Sequence, residues 1–97
     1  MEAEDYFRLH GFVQGRVQGV GFRMFVYKHA LSLNITGWVR NTWKGEVEVM
    51  AEGPKTSLGV LLQELRRGPH SSFVSEIRQK WQPYQAEFKT FEIRPSA

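Results

Sequence analysis

Residues 14–21, QGRVQGVG, place three glycines within seven residues, at 15, 19 and 21, and no regular element tolerates that density. On both sides the pattern is regular. Upstream, 6–13 reads YFRLHGFV: Phe7, Leu9, Gly11 and Val13 face one way, while Arg8, His10 and Phe12 face the other, which predicts a strand. Downstream, Phe22, Val26, His29, Ala30 and Leu33 follow the spacing of one helical face, and Asn34 suits a left-handed cap behind them. The chain must therefore pass from strand to helix through a curled turn.

The remaining pattern completes a fold. Residues 35–42 are rich in β-formers, and 46–52 alternate with Val47, Val49 and Ala51 inward, so with Trp43-Lys44-Gly45 between them they predict a β-hairpin. Pro54 suits the first turn of a second helix whose buried stripe is Leu58, Leu61, Leu62 and Leu65. Gly59 weakens that helix by about 1 kcal/mol relative to alanine unless something packs closely on it. Arg66-Arg67 suits the C-terminal end of its dipole, and Gly68-Pro69 stops it. Two more strands are expected at 73–81 and 88–94; Val74 and Ile77 are out of phase, which predicts a bulge in the first of these. The order is β-α-β-β-α-β with room for an extra C-terminal strand. That is an α+β, ferredoxin-like sandwich: an antiparallel sheet with both helices on one face. The 97 residues fit one domain, 1–97, with 1–5 expected as a flexible tail.

Composition removes whole classes of chemistry. With no cysteine there is no disulfide, thiolate metal site or cysteine nucleophile. The one aspartate, Asp5, falls in the expected tail, and His10, His29 and His70 do not stand at metal-ligand spacing on a helix, so no metal is expected. The acidic N-terminus lacks the apolar core of a signal peptide, and no apolar run is long enough for a membrane span, so a cytoplasmic location is expected. The net charge of +3 gives a weak positive field that favours anionic ligands. Glu46 and Glu48 alternate along one strand face, with Glu52 nearby, and read as solvated carboxylates. His29 reads as a hydrogen-bonded core edge, and His10 and His70 have no evident partner. Trp38, Trp81 and most phenylalanines read as core.

The glycine-rich turn is a candidate anion site. Successive free N–H groups at a helix N-terminus can converge on an oxyanion. Arg23 stands in the first helical turn, against the dipole, a conflict that a bound phosphoryl group would relieve. A structural turn with Arg23 at the surface explains the same residues. The segment is neither a Walker loop nor G-x-G-x-x-G, because Met24 stands where the third glycine would be. A phosphatase loop of the cysteine type is ruled out by the absent thiol. Water is then the simplest nucleophile, and Asn41 at the end of a strand can hold it, although a lone asparagine before a hairpin is commonly a turn residue.

The run Val13-Gln14-Gly15-Arg16-Val17-Gln18-Gly19-Val20-Gly21-Phe22-Arg23 closely resembles the first signature of the acylphosphatase family. Gly37-Trp38-Val39-Arg40-Asn41, Gly45-Glu46-Val47 and Gly53 resemble its second, and the likeness continues to Gly68-Pro69 and Phe91-Glu92-Ile93-Arg94. The resemblance implies a small cytosolic ferredoxin-like enzyme that hydrolyses acyl phosphates to a carboxylate and inorganic phosphate. It implies that Arg23 binds the phosphate and Asn41 orients water. The backbone amides of Gly15, Arg16, Val17, Gln18, Gly19 and Val20 would share the phosphoryl oxygens with Arg23, and no metal, cofactor or covalent intermediate is expected. The expected partners are the acyl phosphate and inorganic phosphate, with no membrane or nucleic acid, and the expected state is a monomer. Asn34, where glycine is frequent, and Trp43-Lys44, where an acidic residue often precedes the glycine, depart from the family pattern. Two other classes remain: a non-catalytic anion module, and a single-stranded RNA binder. The latter would need exposed aromatics on adjacent central strands; Phe12 is on offer, but no RNP-like run is present.

Overall fold

The structure, a computed structural model, describes residues 4–97. Its elements are β1 (Tyr6–Arg16), α1 (Phe22–Ser32), β2 (Thr36–Asn41), β3 (Val47–Pro54), α2 (Lys55–Arg67), β4 (Phe73–Pro83) and β5 (Phe91–Ile93). The five strands form one sheet in the order β4-β1-β3-β2-β5. Directly opposed residues share a face. The pairs Leu9–Ala51, Gly11–Val49 and Val13–Val47, with Val39 opposite Val49, build an apolar face. Phe22, Val26 and Ala30 of α1 and Leu58, Leu61 and Leu65 of α2 close over it, all buried in one cluster. This is the expected ferredoxin-like sandwich. Asn34 takes the left-handed conformation after α1, φ 56°. Pro54 precedes α2 as its N-cap instead of entering the first turn.

The C-terminal strand is shorter than expected and lies parallel to β2, with Gly37 opposite Phe91 and Val39 opposite Ile93. The sheet is thus antiparallel through four strands and mixed at one edge. The bulge also takes definite form. Gln14 pairs with Glu76 and Gly15 with Val74, which leaves Ser75 as the extra residue. At that point Gly15 has φ 128°, and a Cβ there would sit 2.1 Å from the Phe73 carbonyl oxygen.

The open face of the sheet corrects one expectation. Glu46, Glu48 and Glu52 are not solvated; they are 7%, 6% and 1% exposed. Glu52 accepts from Arg8 Nε at 3.1 Å and from the backbone N–H groups of Gln85 at 2.8 Å and Glu87 at 3.0 Å. The connection from β4 to β5 must cross from one sheet edge to the other, and this carboxylate anchors it. Burial opposes the Arg8 charge, but the hydrogen bonds and the charges of Glu87 and Glu52 outweigh it, so its pKa lies above the ordinary value. Glu48 receives His10 Nε2 at 2.6 Å and Arg40 Nε at 2.8 Å, so His10 does have a partner. Alternation reveals which face a side chain takes; it does not reveal what crosses that face. Trp38 is buried on this side under the guanidinium groups of Arg40 and Arg94. Trp81, expected in the core, is 37% exposed on the edge strand β4, and Phe73 at the start of that strand is 67% exposed.

The expected tail lies partly outside the described residues. Of its described part, the Asp5 carbonyl accepts the Lys55 N–H at 2.9 Å and the Glu4 carboxylate accepts the Thr56 hydroxyl at 3.3 Å.

The two glycines in helix and bulge should respond oppositely to alanine. Nothing lies within 4 Å of a Cβ built at Gly59. Gly59→Ala should stabilise the fold by about 0.5–1 kcal/mol, because it removes backbone entropy from the unfolded chain without a clash. Gly15→Ala should destabilise it by about 2 kcal/mol or more, from overpacking and strain together. Urea midpoints of the two variants check both signs.

Candidate functional site

The bulge at Ser75 lets β4 press close against Gly15, and β1 leaves the sheet just beyond it. Val17, 1% exposed, pins the loop to the core, and the chain then reaches α1. Gly21 is the N-cap of that helix with φ 80° and no side-chain capping bond, and the first turn holds no acidic residue. Among the described residues, no N–H from Val17 to Gly21 enters a backbone hydrogen bond outside the regular elements; the first such donor is Phe25, to the Gly21 carbonyl. The loop therefore presents uncommitted donors beside the positive end of a helix dipole.

The side chain of Gln18 ties this loop to the neighbouring hairpin. Its Nε2 donates to the Thr42 carbonyl at 2.9 Å and to the Glu46 carbonyl at 2.8 Å. The hairpin is itself closed by the Thr42 N–H to the Glu46 carbonyl at 2.9 Å and by the Glu46 N–H to Thr42 Oγ1 at 3.2 Å. Asn41 immediately precedes it. Asn41 shares the helix-side row of Val39, two residues along β2, and lies opposite Val47.

Arg23 and Asn41, eighteen residues apart in sequence, meet in one cavity of about 240 Å³. The loop contributes Val17, Gly19 and Gly21 to its lining; Phe22, Met24 and Ile93 complete it. Two features distinguish the pair. None of the ion pairs among the described residues includes Arg23. Asn41 Oδ1 is buried without a hydrogen-bond partner, the one side-chain atom so found among the described residues. A buried acceptor left unsatisfied costs about 1–3 kcal/mol, so such an atom in a cavity calls for a donor from a ligand or water.

Other residues expected at the site divide. Gly15 lines a second cavity, of about 530 Å³, with Gln14, Lys44, Glu46, Ser75 and Arg78. Arg16 is exposed at the strand end, Val20 packs partly against the core, and the Gln18 side chain is committed to the hairpin. Only their backbone groups remain for an anion. The sequence reading did not single out Gln18 as a tether, nor Met24 and Ile93 as cavity wall. A large apolar residue beside Arg23 that matched no buried stripe was the available signal for Met24; Ile93 had none, since its strand pairs only through long-range contacts.

A ferredoxin-like sheet with free loop donors, an unpaired arginine and an unsatisfied amide around one cavity defines a protein that handles an oxyanion. An acylphosphatase family model matches residues 9–93. The chain is 48% identical to an acylphosphatase of Syntrophotalea carbinolica over 84% of its own length and 89% of that protein's. It is 44% identical to one from Moorella thermoacetica over 92% and 95% of the two chains. The crystal structure of acylphosphatase from Bacillus subtilis superposes with a TM-score of 0.88 at 35% identity, covering 91% of this chain and 98% of that one. The chain belongs to the acylphosphatase family, hydrolases that cleave acyl phosphates.

Glu46, next to the hairpin that Gln18 tethers, gives the stability of the fold a pH dependence. Its carboxyl is held below the ordinary carboxylate range, first by the hydrogen bond from Gln14; burial works the other way, and the Arg78 hydrogen bond and charge, with Lys44, add to the lowering. Its contribution to stability is therefore complete above the ordinary value of 4.5 and is lost as pH falls through the lower, folded value. Glu46→Gln should weaken the fold near neutrality and flatten its loss of stability below about pH 4.5, as followed by denaturant midpoints across pH.

Proposed function

We propose that hydrolysis proceeds by direct attack of water on phosphorus, with no metal and no covalent enzyme intermediate. The Arg23 guanidinium and the backbone N–H groups from Gly15 to Val20 bind the phosphoryl oxygens. Asn41 Oδ1 accepts a hydrogen bond from the attacking water and turns its lone pair toward phosphorus. The new bond forms between the water oxygen and phosphorus, while the bond from phosphorus to the acyl oxygen breaks and its electron pair leaves on the carboxylate. The water proton passes to the phosphate being formed. A carboxylate is a stable leaving group, with an ordinary conjugate-acid pKa of about 4, so neither a strong acid nor a Lewis acid is required of the protein. Catalysis then consists of positioning and preorganised electrostatics.

The unpartnered Asn41 Oδ1 in the cavity of Arg23 carries this reading. A purely structural turn would have satisfied that atom, and a bare anion site would have no use for a buried acceptor that repels an anion.

The reading extends to a single-domain monomer acting in the cytoplasm on a small acyl phosphate, without nucleic acid. In its support, the cavity is built within one chain, and a chain with no cysteine makes no demand on an oxidising compartment. Among the described residues no helix is long and apolar enough to cross a membrane. Against base stacking, Phe12 lies under the Arg78 guanidinium and Trp38 under those of Arg40 and Arg94, and β3 separates their strands.

Arg23→Ala and Asn41→Ala should each lower turnover of a simple acyl phosphate about 10²- to 10³-fold, the effect of removing one aligned transition-state contact worth about 2.7–4 kcal/mol. Inorganic phosphate should inhibit the wild type competitively, and Arg23→Ala should weaken that inhibition. A folded variant with near wild-type turnover would overturn the role of the residue replaced.

A further inference from the structure

Of the residues lining the cavity of Arg23 and Asn41, Met24 and Ile93 stand out by their exposure. Met24 is 48% and Ile93 38% exposed, both large apolar side chains left open to solvent. They come from different elements, the first turn of α1 and the far edge strand β5. Ile93 lies opposite Val39 in the parallel pairing, which puts it on the helix side of the sheet, in the same row that continues to Asn41. Both therefore border the same opening from two sides, above a floor of Val17 and Phe22, each 1% exposed. Arg23 is the only charged side chain in this lining.

An acyl phosphate has two unlike ends. If Arg23 and the loop donors take the phosphoryl group, the guanidinium is committed, and the rest of the wall offers methyl, methylene and thioether groups. Nothing there can pair with a second carboxylate. We propose that Met24 and Ile93 form the acyl-group subsite and select acyl phosphates with an apolar aliphatic or aromatic acyl group over those carrying a second carboxylate. The proposal rests on the phosphoryl assignment made above and adds the identity of the other half of the substrate.

Steady-state kinetics on acetyl, benzoyl and succinyl phosphate test it. Wild type should show a kcat/KM for benzoyl phosphate about tenfold above that for acetyl phosphate, the scale of discrimination by an apolar pocket, with succinyl phosphate the poorest. Met24→Gln and Ile93→Thr keep length or β-branching and lie at partly open positions. Each should cut kcat/KM for benzoyl phosphate at least threefold more than that for acetyl phosphate, with inhibition by inorganic phosphate retained; Met24→Leu should keep the wild-type ratio. Equal loss on all three substrates, an unchanged ratio in both variants, or succinyl phosphate as the best substrate would overturn the subsite. Failure of the phosphoryl assignment has a separate signature: phosphate inhibition unaltered in Arg23→Ala, which would remove the premise of the subsite as well.

Discussion

The close approach of β1 to the bulged backbone of β4 at Gly15 governs how this molecule presents its site. The glycine's φ of 128° and the carbonyl oxygen of Phe73 at its back leave no room for a side chain. The extra residue, Ser75, bends the edge strand, and the chain can leave the sheet just past this point, turning through Val17 toward α1. Donors that would otherwise belong to a ladder become free in the turn. The site is thus a consequence of a local failure of sheet pairing, with the strain confined to a residue that can bear it.

A different economy holds on the other face of the sheet. Carboxylates buried there lose hydration, and only close pairing with cations and N–H groups offsets the loss. Glu52 meets this through Arg8 and two backbone amides, Glu48 through His10 and Arg40, and Glu46 through Gln14 and Arg78. The network spans β1 to β4 and fastens the long connection that delivers β5 to the far edge. That delivery is what places Ile93 beside the cavity. The connection from β4 to β5 thus joins the polar face to the strand that carries Ile93.

At the site itself, complementary deficits meet. Arg23 has charge without an ion-pair partner, the loop has donors without acceptors, and Asn41 has an acceptor without a donor. Gln18 holds loop and hairpin together with two hydrogen bonds, so these groups face one another across a framed space instead of a flexible gap. In the mechanism proposed above, the phosphoryl group presents acceptors to the first two groups, and the attacking water presents a donor to the third.

Much of this was legible in the one-dimensional pattern because it is local. Alternation at Leu9, Gly11 and Val13, helical spacing from Phe22 to Ala30, the phase break between Val74 and Ile77, and the glycines of the turn each depend on backbone geometry within a few residues. For the candidate pair Arg23 and Asn41, residue type and place left a structural reading open, and the family resemblance decided between the two. Residue order alone determined the elements, their sequence and the turn that had to be special. Only the tertiary structure decided that Glu46, Glu48 and Glu52 are buried, that β5 joins β2 in parallel, and that Met24 and Ile93 line one cavity with Asn41. Each of these depends on which distant surfaces are excluded from water together, and that free energy belongs to the assembled layers, not to any stretch of chain.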